Sequence, residues 1–149
     1  MTELPSYLPQ WISDHIKLYQ EDPEKAHYWD ATLGGGEGLL PTLLLTTVGR
    51  NSGQLRPIPL IYRQVGENYV IIASKGGAPA HPAWFLNLEA RPECDVQVAS
   101  RKMKATARVA EGEERVDLWA QLAQDYPPYD EYQQLAGDRE IPVVVLEPR

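Results

Sequence analysis

Basic residues follow two predicted strands in the middle of the chain, and each group stands in a glycine-rich turn. The first turn reads Val-Gly-Arg-Asn-Ser-Gly, with Arg50 inside it and Arg56 shortly after it. The second reads Ala-Ser-Lys-Gly-Gly-Ala, with Lys75 at its centre. Cationic side chains beside free backbone N–H groups are what a phosphate-bearing ligand requires. The spacing therefore predicts a binding site for an anionic cofactor.

The charge distribution sets this region apart from the rest of the chain. Residues 41–110 contain nine Lys and Arg against four Asp and Glu, whereas the whole chain of 149 residues has a net charge of −7. Duplex nucleic acid requires a broad positive face, so this distribution argues against nucleic-acid binding. A local basic region instead suits a small polyanion, whose approach it would also steer. Four further basic residues are interpreted as strand-edge charges that discourage edge pairing: Arg101, Lys102, Lys104 and Arg108.

Other kinds of reactive site have weaker support in the sequence. Ser74 and His81 lack the G-x-S-x-G elbow of a serine hydrolase and have no evident acidic partner. The three histidines share no metal-ligand spacing, so no metal is expected. The single cysteine, Cys94, excludes an intramolecular disulfide and is interpreted as a small buried residue.

Three tyrosines, Tyr126, Tyr129 and Tyr132, recur at three-residue steps along one short predicted helix. Tyrosines commonly cover the edge of a core with the hydroxyl facing water, and the spacing alone favours that interpretation. An aromatic wall with hydroxyl groups near a cofactor would also suit a planar substrate. Both interpretations stay open at the level of the residues.

The elements that must position these residues follow from hydrophobic periodicity. Strands are predicted near 42–48, 56–65, 68–74, 94–100, 102–110 and 141–147, and helices over 7–19, 81–90, 113–125 and 128–136. Short turns between the strands favour antiparallel hairpins, and strands do not alternate with helices as a parallel doubly wound fold requires. We therefore predict an α+β, mainly β fold: a six-stranded, mostly antiparallel split β-barrel with flanking helices.

The N-terminal part of the chain differs in character from the rest. Residues 1–40 are predicted to form an amphipathic helix and a mobile glycine-rich loop, and residues 41–149 the cofactor-binding part of a single domain. Peripheral membrane contact through this helix is disfavoured because its polar face is acidic or neutral except for Lys17. Packing on the barrel or on a partner subunit, as in a homodimer, is favoured. Without a signal peptide or an 18-residue apolar run, a cytoplasmic protein with no integral membrane segment is expected.

Several segments after residue 40 together resemble the deazaflavin-dependent nitroreductase family of coenzyme F-420-dependent oxidoreductases. The matching motifs are Leu-Thr-Thr-Val-Gly-Arg-Asn-Ser-Gly, Ala-Ser-Lys-Gly-Gly-Ala-Pro-x-His-Pro-x-Trp, Tyr-Pro-Pro-Tyr-x-x-Tyr and Asp-Arg-Glu-Ile-Pro-Val-Val-Val-Leu-Glu-Pro. They occur in order and with family-like spacing. The resemblance implies an FMN-binding split-barrel-like fold and coenzyme F-420 as the cofactor.

The resemblance also implies roles for individual residues. The first basic turn would contact the phosphate and the acidic tail of the cofactor, and the second turn would form the other anchor. The implied cofactor-binding residues are Arg50, Ser52, Arg56, Pro59, Ala73, Lys75, Gly76, Gly77, Ala78, Trp84 and Asn87. The implied catalytic residues, at positions where relatives hold substrate, are Ser74, Tyr126, Tyr129 and Tyr132.

The implied activity is hydride transfer from reduced F-420 to a planar electrophilic small molecule, such as a quinone, an enone or a nitroaromatic. The cofactor carries the redox chemistry, so the protein has only to position donor and acceptor and to supply a proton. This explains why no catalytic triad is evident. Two alternatives are an FMN-dependent reductase of the same fold class and a carrier that binds F-420 without turnover.

Overall fold

The computed structural model describes residues 9–149. Its first helix, α1, spans Gln10–Glu21, so residues 7 and 8 of the predicted helix 7–19 lie outside the described residues. Ile16 and Tyr19 on α1 are fully buried, and the Tyr19 hydroxyl donates a hydrogen bond to the carbonyl of Thr42. These contacts fix α1 against the strand that leads to the first basic turn.

The remaining elements follow in chain order. They are α2 (Pro23–Ala26), β1 (Tyr28–Asp30), β2 (Leu39–Val48), β3 (Leu55–Ile61), β4 (Arg63–Val65), β5 (Asn68–Ile72), α3 (Ala83–Ala90), β6 (Glu93–Val98), β7 (Arg101–Val109), α4 (Gly112–Asp125), α5 (Pro128–Leu135) and β8 (Val143–Pro148). Two short 3-10 turns cover Ala31–Gly34 and Lys75–Gly77. The structure differs from the prediction over residues 20–41, where the expected loop contains α2, β1 and the first of these turns.

Strands β2 to β8 form one antiparallel sheet. The hydrogen-bonded order is β2-β6-β7-β8-β5-β4, β3 pairs with β2, and the short β1 pairs with the start of β2. β3 also approaches β5, so the sheet curls on itself. The α+β class and the antiparallel pairing are confirmed.

The predicted number of six strands is wrong, since the described residues form eight. The predicted strand 56–65 is divided at Tyr62, because β3 pairs with β2 whereas β4 pairs with β5. β1 was missed because three residues are too few to show a period of two. Both differences depend on which neighbouring strand each segment pairs with.

The curled sheet is buried on both faces where it carries the second basic turn. On β5, Ile71 lies in one core cluster with Phe85 of α3, whereas Val70 and Ile72 lie in a second cluster with Leu122 of α4. This alternation follows from the period of two along a strand. The end of β5 is therefore rigidly held, and the turn that follows starts from a fixed point.

Within residues 9–149, no helix combines the length and the apolar character needed to cross a bilayer.

Candidate cofactor site

The first basic turn connects β2 and β3 and is closed by hydrogen bonds within the turn. The N–H of Gly49 donates to the carbonyl of Gln54 at 2.8 Å, and the Ser52 hydroxyl accepts from the N–H of Gln54 at 3.1 Å. Arg56 Nη2 donates to the same hydroxyl at 3.4 Å. A Cβ at position 49 would lie 2.6 Å from Ser52 Oγ, so a larger residue there would displace the Ser52 side chain. The turn thereby brings Ser52 and Arg56 together.

Asn87 of α3 holds the other cation of this turn. Its side-chain oxygen accepts from Arg50 Nη1 at 2.9 Å and from the Arg50 N–H at 3.2 Å. Its amide nitrogen donates to the Thr47 hydroxyl at 3.0 Å, and the residue is only 3% exposed. The buried side chain of Asn87 therefore orients the guanidinium of the exposed Arg50.

The second basic turn follows β5 and has an unusual backbone. Lys75, Gly76 and Gly77 have φ values of 47°, 61° and 82°, and Ser74 before them is in the right-handed helical region. Such a right-to-left succession turns neighbouring N–H groups toward one point and forms an anion-binding nest. Within the described part of the chain, the N–H groups of Ser74, Lys75 and Gly76 donate to no acceptor. Lys75 and Gly76 are also exposed.

Helix α5 packs directly on this turn. A Cβ at position 77 would lie 2.8 Å from both the carbonyl oxygen of Tyr132 and the Cβ of Leu135. Together with its left-handed backbone, this close approach requires glycine at position 77. The turn and the helix that carries Tyr132 therefore form one surface.

The three tyrosines do meet, but at different depths. Tyr126 and Tyr129 are 3% and 4% exposed and belong to the second core cluster, whereas Tyr132 is half-buried. The Tyr126 hydroxyl donates to the carbonyl of Gly34 at 2.9 Å and lies 3.0 Å from the Tyr132 hydroxyl. Burial raises the pKa of both Tyr126 and Tyr129, so these hydroxyls stay protonated.

The glycines of the N-terminal segment make room for this tyrosine cluster. A Cβ at Gly34 would overlap the Tyr126 hydroxyl, and one at Gly36 would lie 2.9 Å from its ring. The ring of Trp29 packs edge-on against the Tyr126 ring at 6.1 Å. The glycine run therefore closes over an aromatic side chain from the other end of the sequence.

The cations of the two turns lack acidic partners. Among residues 9–149, no carboxylate lies within 4.0 Å of Arg50, Arg56 or Lys75. Three cations and a nest of N–H groups form a donor set that fits a ligand with several anionic groups.

Other predicted site residues have mixed surroundings. Trp84 is 5% exposed and packs on Phe85 in the first core cluster, and Pro59 lies in β3 opposite Leu44. Ala73 is buried and Ala78 half-buried in the second turn. The contacts predicted between these four residues and a cofactor stay predictions. Cys94 is buried, and burial raises the pKa of its thiol to about 12.

Arg139, in the segment between α5 and β8, was not among the predicted site residues. Its guanidinium donates to the carbonyls of Ala73, Ser74 and Ala78 at 3.0, 2.7 and 2.9 Å. It also lies 3.1 Å from His81 Nδ1. Among residues 9–149, no hydrogen bond joins Ser74 to His81, the pair considered for a hydrolase. The only indication in the sequence that Arg139 belongs to the site is its position in the family-like motif Asp-Arg-Glu-Ile-Pro.

Comparisons with known proteins agree with this site. Residues 19–148 match the model of the F420H(2)-dependent quinone reductase family. An F420H(2)-dependent quinone reductase of Mycobacterium tuberculosis (strain ATCC 25618 / H37Rv) is 36% identical over 153 residues, covering 95% of this chain and 99% of the relative.

Two solved structures show the same relationship. An F420-H2 dependent reductase, FDR-A, is 44% identical with a TM-score of 0.66, covering 72% of this chain and 94% of the other. A protein described as a domain-swapped dimer is 38% identical with a TM-score of 0.67, covering 91% and 98%. These matches favour F-420 over FMN and an enzyme over a carrier. The chain belongs to the F420H(2)-dependent quinone reductase family, and it is an oxidoreductase whose cofactor is coenzyme F-420.

Proposed function

We propose that this chain reduces a quinone, or a similar planar electrophile such as an enone or a nitroaromatic, at a site between its two basic turns and α5. When bound, reduced F-420 supplies the hydride. The observation that carries the proposal is the surface shared by the second turn and α5, where Gly77 of the turn packs on the main chain of Tyr132. Relatives named as quinone reductases support a quinone as the acceptor.

In this proposal the two basic turns hold the anionic groups of the cofactor. Arg50 and Arg56 bind from the first turn, with Ser52 beside Arg56 and Asn87 orienting Arg50. Lys75 and the free N–H groups of the second turn bind from the other side. Charge-assisted hydrogen bonds are the strong ones in such sites, and each contributes on the order of 1.5–3 kcal/mol.

The acceptor is proposed to face Ser74 and Tyr132. Of the four residues proposed as catalytic, these two are half-buried, whereas Tyr126 and Tyr129 lie behind them in the core. Because the Tyr126 hydroxyl already donates to Gly34, the Tyr132 hydroxyl donates to Tyr126. The Ser74 hydroxyl has no hydrogen-bond partner among the described residues, so it is the group proposed to orient the acceptor and pass a proton to it.

The wider organisation is proposed as follows. The curled sheet is a split β-barrel of the FMN-binding type, and residues 9–40 belong to the same domain as the sheet, since Trp29 packs on Tyr126 of the tyrosine cluster. A homodimer is proposed because one relative is described as a domain-swapped dimer.

Titration of the purified protein with F-420 and with FMN, followed by absorbance, tests the cofactor. Reduced F-420 deuterated at C5 should then react more slowly with a quinone if hydride transfer limits the rate. With an enone acceptor, the label should appear at a carbon atom of the product, with little oxygen consumption. Stoichiometric FMN binding with rapid oxygen reduction would contradict the proposal, and F-420 binding without turnover of any acceptor would favour a carrier.

The acceptor side is tested with Ser74→Ala and Tyr132→Phe. Both should alter turnover or acceptor range more than F-420 affinity. Tyr28→Phe, at a tyrosine that is 55% exposed on β1, is the matched control and should behave like the wild type. Wild-type turnover of several acceptors by both site variants would show that these residues only cover the core.

A further inference from the structure

We propose that Arg139 is a positioning residue of the cofactor site, and that it turns the free N–H groups of the second basic turn toward the ligand. The inference rests on the proposed cofactor site. Its basis is the three carbonyls that Arg139 binds, all of which belong to residues 73–78. Four of the five guanidinium N–H groups are used in these contacts and in the contact with His81.

Peptide geometry links these carbonyls to the nest. A trans peptide points its C=O and the following N–H in opposite directions. The carbonyls of Ala73 and Ser74 point at the guanidinium, so the N–H groups of Ser74 and Lys75 point away from it. These are two of the N–H groups that have no acceptor among residues 9–149. Arg139 therefore fixes the orientation of the donors without contacting the ligand.

The charge of Arg139 acts in the same direction. Within the described residues no carboxylate pairs with it, and burial lowers the pKa of its guanidinium. Instead, the positive guanidinium contacts the carbonyl oxygens of the second turn, which are the negative ends of the peptide dipoles. The N–H groups, which are the positive ends, face away from Arg139. A positive charge behind an aligned set of peptides adds to the potential that an anion meets at the nest.

Arg139 is itself held in place from α5. The side chain of Gln133 donates to the Arg139 carbonyl at 2.8 Å and accepts from the N–H of Ile141 at 2.9 Å. The main chain at Arg139 is therefore held by Gln133, and the guanidinium at the end of its side chain is held by the carbonyls of the second turn. Such pre-organisation lowers the ordering cost of ligand binding.

His81 extends the contact to the other basic turn. Arg139 has no acceptor, so in this contact His81 Nδ1 accepts from the guanidinium. The same ring packs on Phe85 of α3 at a centroid distance of 4.8 Å. Asn87 on that helix holds Arg50. Arg139 thus connects the second turn to the helix that orients the first.

The test compares Arg139→Gln and Arg139→Lys with a matched control, Arg115→Gln. Arg115 donates to the carbonyl of Ile141 at 2.8 Å and pairs with Glu140, so it braces the same segment without touching the second turn. The dissociation constant of F-420 should rise about tenfold or more in Arg139→Gln and less in Arg139→Lys, whose ammonium cannot match the fork of contacts. The dissociation constant of F-420 should stay unchanged in Arg115→Gln, even if the Tm of that variant is lower than that of the wild type.

Two readouts separate positioning from general stability. In Arg139→Gln, the KM for reduced F-420 should rise with little change in kcat at saturating cofactor. Without cofactor, the amides of Gly77 and Ala78, which bond back to Ser74 and Lys75, should exchange hydrogen faster, while peptides from β6 and β7 are unchanged.

Each outcome decides between the hypotheses. A wild type that does not bind F-420 overturns the proposed cofactor site. A wild type that binds it with the same affinity as Arg139→Gln, or an equal loss in Arg115→Gln, overturns only the role of Arg139. If Arg139→Gln does not fold, Arg139→Lys decides, because wild-type affinity and exchange in that variant would overturn the inference.

Discussion

Two groups of basic side chains in this molecule differ in what lies beside them. Away from the site, Arg63, Lys104, Arg108 and Arg115 each have a carboxylate within 4.0 Å. At the site, Arg50 is held by the neutral amide of Asn87 and Arg56 by the hydroxyl of Ser52. Neutral partners orient a cation without cancelling its charge. The site cations therefore keep their charge available to an anionic ligand, whereas the exposed pairs contribute little to stability.

The largest expected effect comes from removing the cations without acidic partners. Each of Arg50→Ala, Arg56→Ala and Lys75→Ala should weaken F-420 binding about tenfold or more with little change in Tm, because each removes a charge-assisted contact. Isothermal titration and thermal denaturation measure the two quantities. Arg108→Ala is the control and should leave affinity unchanged. If it weakened binding equally, the net charge and not the local site would control affinity.

A smaller effect is expected when Arg50 is given an acidic partner. Asn87→Asp is nearly isosteric and places a carboxylate 2.9 Å from Arg50 Nη1. The new ion pair should retain the fold but neutralise the cation, so affinity for F-420 should fall by several-fold, about 1 kcal/mol. Asn68→Asp, in β5, is the matched control for added negative charge. Unchanged affinity in Asn87→Asp would mean that Arg50 acts by position and not by charge.

A further prediction concerns salt. Raising the ionic strength from about 0.05 to 0.5 M should weaken F-420 binding a few-fold, because exposed charges are screened over about 10 Å at 0.1 M. The dependence should be shallower in Lys75→Ala than in the wild type. Equal slopes in the two proteins would count against contact between Lys75 and the ligand.

The smallest effect is expected at the paired surface charges. Arg108 lowers the pKa of Glu114, so the stability from this pair is present above the unfolded pKa and lost as the pH falls through the folded pKa. The Tm difference between the wild type and Glu114→Gln should therefore be small near pH 7 and vanish in acid. F-420 affinity should not change. A Tm difference that grew in acid would contradict this assignment.

The parts of the fold that the sequence predicted are long and strongly periodic. Strand 102–110 and helix 113–125 were placed within one residue of β7 and α4, because alternation and helical periodicity are continuous there. The division at Tyr62 and the short β1 depend on which strand each segment pairs with. The partners are near in sequence, but hydrophobic periodicity does not show where pairing with one strand ends and pairing with the next begins.

The candidate site likewise has features that local sequence predicts and features that it does not. Glycines beside cations marked both basic turns, since this local combination is typical of turns that bind anions. Arg139 acts on main-chain carbonyls more than 60 residues away, and nothing in its own neighbourhood indicates those partners. The depth of Tyr126 and Tyr129 was equally hidden, because it depends on Gly34 and Gly36 making room for the Tyr126 ring.

Pro57 and Pro59 of β3 affect how this protein behaves at high concentration. They lie two residues apart, so their nitrogens face the same side of the strand, away from the ladder with β2. Proline has no N–H, so this edge lacks two donors that an incoming strand would need. The edge beside the first basic turn is thereby protected from intermolecular β-pairing and aggregation, while the side chains proposed to bind the cofactor stay accessible.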